Sequence, residues 1–224
     1  MKKFKYYDLV LAAFVGILLI SNIGAVKLID INGIITDGGA VLFPLAYILG
    51  DVLTEVYGYK FARRAIWTGF AMAAIMSLTI LVVQIAPPAA AWPNQAAFES
   101  VLGFVPRIVA ASLAGYLLGQ FMNSIVLVKL KQVTKGKKLW VRLIGSTIVG
   151  EFFDTLIFCT VAFAGVLTGQ DFIVYVAFGM FYKTMVEVIM LPVTYRVVAF
   201  LKKREHQDSN DAKTDLTPFK ISTD

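Results

Sequence analysis

Phe43-Pro44-Leu45-Ala46-Tyr47-Ile48-Leu49-Gly50-Asp51-Val52-Leu53-Thr54-Glu55-Val56-Tyr57-Gly58 is apolar enough to enter a bilayer, yet it carries two carboxylates four residues apart. On a helix, that spacing puts Asp51 and Glu55 on one face. The apolar stretch begins at Gly39, so Asp51 lies about 18 Å along it at ~1.5 Å per residue. A charge at such depth costs at least roughly 2.5–3.5 kcal/mol when it faces lipid. The face bearing Asp51 must therefore turn into a bundle of helices.

The whole composition agrees. Of the 224 residues 58% are apolar and 16% charged, against about 45–50% and 25% in soluble domains. Mean hydropathy is +0.73. Ten of the charges crowd into Lys202–Asp224, which leaves too little polar surface to cover a water-soluble ball. The lone Cys159 forms no internal disulfide, and the only histidine, His206, sits in the charged tail. A His-ligated intramembrane metal site is thereby disfavoured, and no metal or cofactor is expected. The net charge of +6 lies between apolar spans, where it encodes orientation rather than a nucleic-acid surface.

Six stretches are long enough to cross: Asp8–Ile29, Gly39–Gly58, Ala65–Ala86, Val101–Val128, Trp140–Thr168 and Asp171–Phe200. Seventeen of the 21 Lys and Arg fall at the N-terminus, in the second and fourth loops and in the C-terminal tail. The first, third and fifth loops hold none. This alternation predicts six transmembrane helices with both termini cytoplasmic. Trp67 and Trp140 fall at cytoplasmic helix ends, where interfacial rings are expected. The fold class is thus an all-α polytopic integral membrane protein, with residues 1–201 forming one transmembrane domain. The tail 202–224 is polar and reads as disordered. The Pro-rich loop around Pro87, Pro88 and Pro93 reads as a stiff outer connection.

Further polar residues share the interior: Asn22, Arg107, Gln120, Asn123, Glu151, Asp154, Lys183 and Glu187. Static pairing between helices accounts for any one of them as well as function does. Their sum is harder to explain that way. Five acids against two deep bases leave carboxylate in excess, to be protonated, hydrated or matched by a ligand. Lys183 either pairs with Glu187 one turn away or reaches the acids of the second or fifth span. A 3+3 inverted repeat is one way to organise them. Ser21-Asn22-Ile23 precedes Gly50-Asp51 as Asn123-Ser124-Ile125 precedes Gly150-Glu151, at almost equal spacing, and inverted repeats keep binding sites at their interface.

The run Phe43–Lys60 resembles the signature of the queuosine precursor transporter family, also filed under vitamin uptake transporters. Ser21-Asn22-Ile23, Gly119-Gln120-Phe121-Met122-Asn123, Gly150-Glu151-Phe152-Phe153-Asp154-Thr155 and Tyr182-Lys183 follow in that family's order. The likeness covers about Ser21 to Leu201. It implies a multi-pass protein of the bacterial inner membrane that imports 7-deazaguanine bases, such as 7-cyano-7-deazaguanine, for salvage into tRNA queuosine. The expected partners are that small molecule and the bilayer, with no nucleic acid; a homo-oligomer stays open. A flat base needs aromatic walls and paired hydrogen bonds. Phe43, Tyr47, Phe152 and Phe153 lie within a few residues of acids or amides; ordinary packing explains each of these rings equally well.

Candidates for binding or coupling are therefore Asn22, Phe43, Tyr47, Asp51, Glu55, Arg107, Gln120, Asn123, Glu151, Asp154, Lys183 and Glu187. The leading expectation is a secondary carrier, driven by protons through the acids. A substrate-binding subunit for a vitamin-like molecule, energised by a separate ATPase, is the alternative, since no Gly-rich phosphate loop lies in this chain. A membrane-embedded enzyme is disfavoured by the missing histidine and by the absence of a Gly-x-Ser-x-Gly elbow. No filter motif points to a channel.

Overall fold

The computed structural model describes residues 4–25, 27–31, 34–102, 105–163, 169–205 and 216–218. Helix α1 (Tyr7–Gly24) leads into a hairpin, β1 (Leu28–Ile31) and β2 (Ile34–Asp37), in which Leu28 pairs with Asp37 and Ile31 with Ile34. A 3₁₀ turn (Gly38–Val41) enters α2 (Phe43–Val52), where Pro44 occupies the first turn, a place that needs no amide donor. A π-helical turn, Leu53–Tyr57, continues α2. Gly58, with φ at 89°, then redirects the chain into α3 (Tyr59–Ile85), a conformation that costs glycine little. Helices α4 (Gln95–Leu102), α5 (Val105–Val133), α6 (Leu139–Phe163) and α7 (Gly169–Glu205) complete the order.

The helical, multi-span expectation holds in outline. Among the described residues, five helices are long and apolar enough to cross a membrane: Tyr7–Gly24, Tyr59–Ile85, Ala110–Val133, Leu139–Val161 and Phe172–Glu205. The second expected span is divided into a 3₁₀ turn, α2 and a π turn, and the fourth begins later, after α4. The hairpin adds a short β element to a class expected to be all-α. It occupies a connection rather than the bundle. The first span stops at Gly24, and α7 reaches Glu205 with Pro192 inside it; proline removes one backbone hydrogen bond there and favours a bend.

Apolar side chains face outward along the long helices. Ile75, Leu78, Val82 and Ile85 of α3 and Phe181, Ile189 and Phe200 of α7 are exposed, as a lipid-facing surface requires. Inside, Phe14 and Leu18 of α1 pack against Val52, Leu53, Val56 and Tyr57, with Ala62, Ala65, Tyr116, Val198 and Leu201 closing the cluster. Small residues do the closest packing. A Cβ on Gly119 of α5 would meet the Gly150 carbonyl of α6 at 2.8 Å and Asp154 Cβ at 2.7 Å. Gly115 likewise faces the Asp154 carbonyl of α6. Gly115 and Gly119 thus form a small-xxx-small crossing.

The start of α1 and the end of α7 are clasped. Glu205, the last residue of α7, accepts the backbone N–H groups of Lys5 at 2.9 Å and Tyr6 at 2.7 Å, just ahead of α1. Tyr57 Oη donates to the same carboxylate at 3.2 Å. The first residues of the charged tail are therefore helical, and Leu216–Pro218 lies against α3. The rest of that tail lies outside the described residues.

Candidate functional site

Four helices bring their polar residues to one place. Asn123 of α5 donates its Nδ2 proton to Asp51 Oδ1 of α2 at 2.5 Å. Lys183 Nζ of α7 lies 2.8 Å from Glu151 Oε2 and 2.8 Å from Asp154 Oδ2, both on α6. Glu187 stands beside Asp51 and the Thr147 hydroxyl. Gln120 Nε2 donates to the Ala46 carbonyl at 3.3 Å. The Tyr47 ring lies over the Gly119–Gly150 crossing and within electrostatic reach of Asp51, Glu151 and Asp154. These residues are all buried save Lys183, whose side chain is 16% exposed.

The backbone is shaped for this convergence. Gly50 has no side chain, so the amide of Gln120 can lie against α2; a Cβ there would collide with Gln120 Nε2. The absence of a side chain at Gly119 and Gly150 lets α5 and α6 approach until Asn123, Glu151 and Asp154 share one space. Thr54 ties the π turn to α2 and α5, donating its hydroxyl proton to the Gly50 carbonyl at 2.8 Å and accepting from Ser124 Oγ at 3.1 Å.

Among the described residues, Lys183 thus pairs with Glu151 and Asp154, while Asp51 and Glu187 lie beside each other. Several atoms of the cluster complete no hydrogen bond among the described residues: Asp51 Oδ2, Gln120 Oε1, Asn123 Oδ1 and Glu151 Oε1, while the Thr147 hydroxyl stands beside Glu187. Leaving a buried polar atom unsatisfied costs about 1–3 kcal/mol, and native interiors hold few such atoms. The cluster can accept hydrogen bonds from a donor-rich ligand.

Glu55 belongs elsewhere. Its carboxylate is fully buried one turn beyond Asp51, on the π turn, where Arg142 Nη1 approaches Oε2 at 3.0 Å. Lys202 Nζ lies 2.7 Å and Lys131 Nζ 3.5 Å from Oε1. It is the hub of an ion network linking α5, α6 and α7, formed by cations that the loop arithmetic treats only as orientation signals.

The other candidates separate. Lys183 turns from Glu187 to the acids of α6, the second of the two pairings its position allows. Asn22 is half-buried on α1 and forms no hydrogen bond among the described residues, while neighbouring Ser21 donates to the Gly39 carbonyl at 2.9 Å. The side chains of Phe43 and Arg107 lie outside the described residues. Phe152 is 41% exposed and stacks edge-to-face on Phe153 with centroids 5.4 Å apart, so it faces outward rather than walling the cluster. Thr147 and Thr155 escaped the reading of charges because hydroxyls are common in membrane helices. Tyr116 lies beside Asp154 on the neighbouring helix. Gly115-x-x-x-Gly119 is the pattern that could have marked its helix as a close crossing.

Residues 37–197 match the family described as "Putative vitamin uptake transporter". The chain is 31% identical over 176 residues to the "Probable queuosine precursor transporter" of Bacillus subtilis, covering 78% of this chain and 77% of that protein. It is 30% identical over 135 residues to the "Queuosine precursor transporter" of Escherichia coli, with 60% and 58% covered. A Haemophilus influenzae protein named "Probable queuosine precursor transporter" is 30% identical over 125 residues, 56% of this chain and 51% of that one. No solved structure matches the chain.

Proposed function

Because the chain belongs to the queuosine precursor transporter family, we propose that it carries 7-deazaguanine bases across the plasma membrane of a bacterium. The observation that carries this reading is the row of buried acceptors that complete no hydrogen bond among the described residues: Asp51 Oδ2, Gln120 Oε1, Asn123 Oδ1 and Glu151 Oε1. A guanine-like edge presents adjacent N–H groups, and one carboxylate accepts two of them. In this reading Asp51, Glu187 and Glu151 hold the donor edge. Gln120 and Asn123 orient it, and Tyr47 lies against the flat ring. Lys183 offsets part of the negative charge.

An excess of buried carboxylate over the Lys183 ammonium also favours a proton-coupled secondary carrier, since a proton or a donor-rich ligand relieves it. Six crossings with cytoplasmic termini fit the clasp of Glu205 on Lys5 and Tyr6, because ends that meet imply an even number of passes. The 3+3 repeat finds support in Gly50-Asp51 and Gly150-Glu151 entering one cluster, although Asn22 stays apart from it.

Uptake of labelled 7-cyano-7-deazaguanine by cells lacking their own route tests the reading. Accumulation that collapses with a protonophore is expected. Accumulation that instead requires a copurifying ATPase would transfer the energy source to a partner subunit, and no uptake of any deazaguanine would overturn the substrate.

A further inference from the structure

Three donors climb one face of α3 at intervals of four residues. Tyr59 Oη donates to the Leu216 carbonyl at 2.9 Å, Arg63 Nη1 to that of Thr217 at 2.6 Å, and Trp67 Nε1 to that of Pro218 at 2.8 Å. Consecutive carbonyls meet successive turns, so the segment runs alongside α3 in the same direction. Leu216 packs against the apolar cluster that Tyr59 and Ile66 of α3 form with Phe121 and Val128 of α5. Arg63 is 1% exposed, so this loop cation is a buried donor, not a solvated orientation signal.

The tail's own sequence suits the role. Proline fixes its φ and drives the residue before it toward extended backbone, so Leu216-Thr217-Pro218 enters the crevice with part of its ordering entropy already lost.

We propose that the α3–α5 crevice is a docking site for this chain's own C-terminal segment, and that the docked strap restrains α3 from parting from α5. Resting on the transport reading above, the second clause assigns α3 to the first group of three spans and α5 to the second. A strap that leaves α7, bonds α3 and wedges Leu216 against α5 joins both groups at one end. Parting α3 from α5 must pull Leu216, held on α3 by three hydrogen bonds, out of the apolar cluster and expose it.

Trypsin cleavage after Lys213 and Lys220, which flank the strap, measures docking on the full-length protein in membranes. Cleavage should be slow in the native chain. It should quicken about tenfold in Leu216→Asp and in Trp67→Phe, since proteolysis follows the population of the open form. Initial uptake of the labelled base should rise in the same variants at equal abundance. Equal cleavage in native and variant chains overturns the docking. Faster cleavage with unchanged or lower uptake overturns the restraint. Should the native protein take up no deazaguanine, the transport reading fails while cleavage still decides the docking.

Discussion

Lys183 holds two carboxylates at 2.8 Å each, and its loss leaves both buried without that cation. Breaking a buried pair from one side costs roughly 3–5 kcal/mol, whereas removing both partners is far cheaper. Lys183→Met should therefore lower the melting temperature and abundance sharply, and Asp154→Asn added to it should restore part of both, Glu151 still lying buried without its cation. Uptake should stay lost in the double variant, because the ammonium is also part of the charge balance. Asp51→Asn keeps an acceptor for Asn123 but removes the charge at Oδ2, the atom without a donor. Together with Glu151→Gln it is expected to cut uptake at least tenfold, about 1.4 kcal/mol, at near-native abundance measured by quantitative blotting. Well-expressed variants with full uptake would make both residues static members of the bundle.

Two elements decide how the bundle is held. The π turn Leu53–Tyr57 presents Glu55 to Arg142, Lys131 and Lys202; such turns recur at functional sites because the wider helix redirects side chains. Glu55→Gln leaves three cations facing a neutral amide. A loss of roughly 3–5 kcal/mol is expected, read as a fall in thermal midpoint. Lys202→Gln should cost much less, since Arg142 and Lys131 remain. The α5–α6 crossing depends on glycine in another way. Gly119→Ala places a methyl 2.8 Å from the Gly150 carbonyl, and overpacking of this kind costs about 1–3 kcal/mol. Gly16→Ala, with nothing within 4 Å of its Cβ, is the matched control and should be neutral in the same melt.

At the scale of the molecule, the start of α1 and the end of α7 meet at Glu205, while the helices long and apolar enough to cross number five among the described residues, an odd number. The fifteen residues of α2 and its π turn span about 22 Å, short of the ~30 Å hydrocarbon layer, with the 3₁₀ turn ahead of them extending the path. Tags at either end should thus be shielded from membrane-impermeant label on intact cells; a C-terminal tag that labels would break the six-crossing arrangement. Membrane residence and the burial of Asp51, Glu151 and Asp154 were legible in the sequence. Each follows from the cost of exposing one residue type to lipid, a property of local composition and spacing. The partners were not legible. Whether Lys183 met Glu187 or the acids of α6, and whether Glu55 joined the cluster or an ion network, depended on how far each helix turned and approached. Gly50, Gly119 and Gly150 set those rotations through contacts between residues distant in the chain, which no single stretch of sequence contains. The tail's docking is of the same kind: polar composition suggested disorder, and only the donors aligned along α3 gave its backbone carbonyls a place to bind.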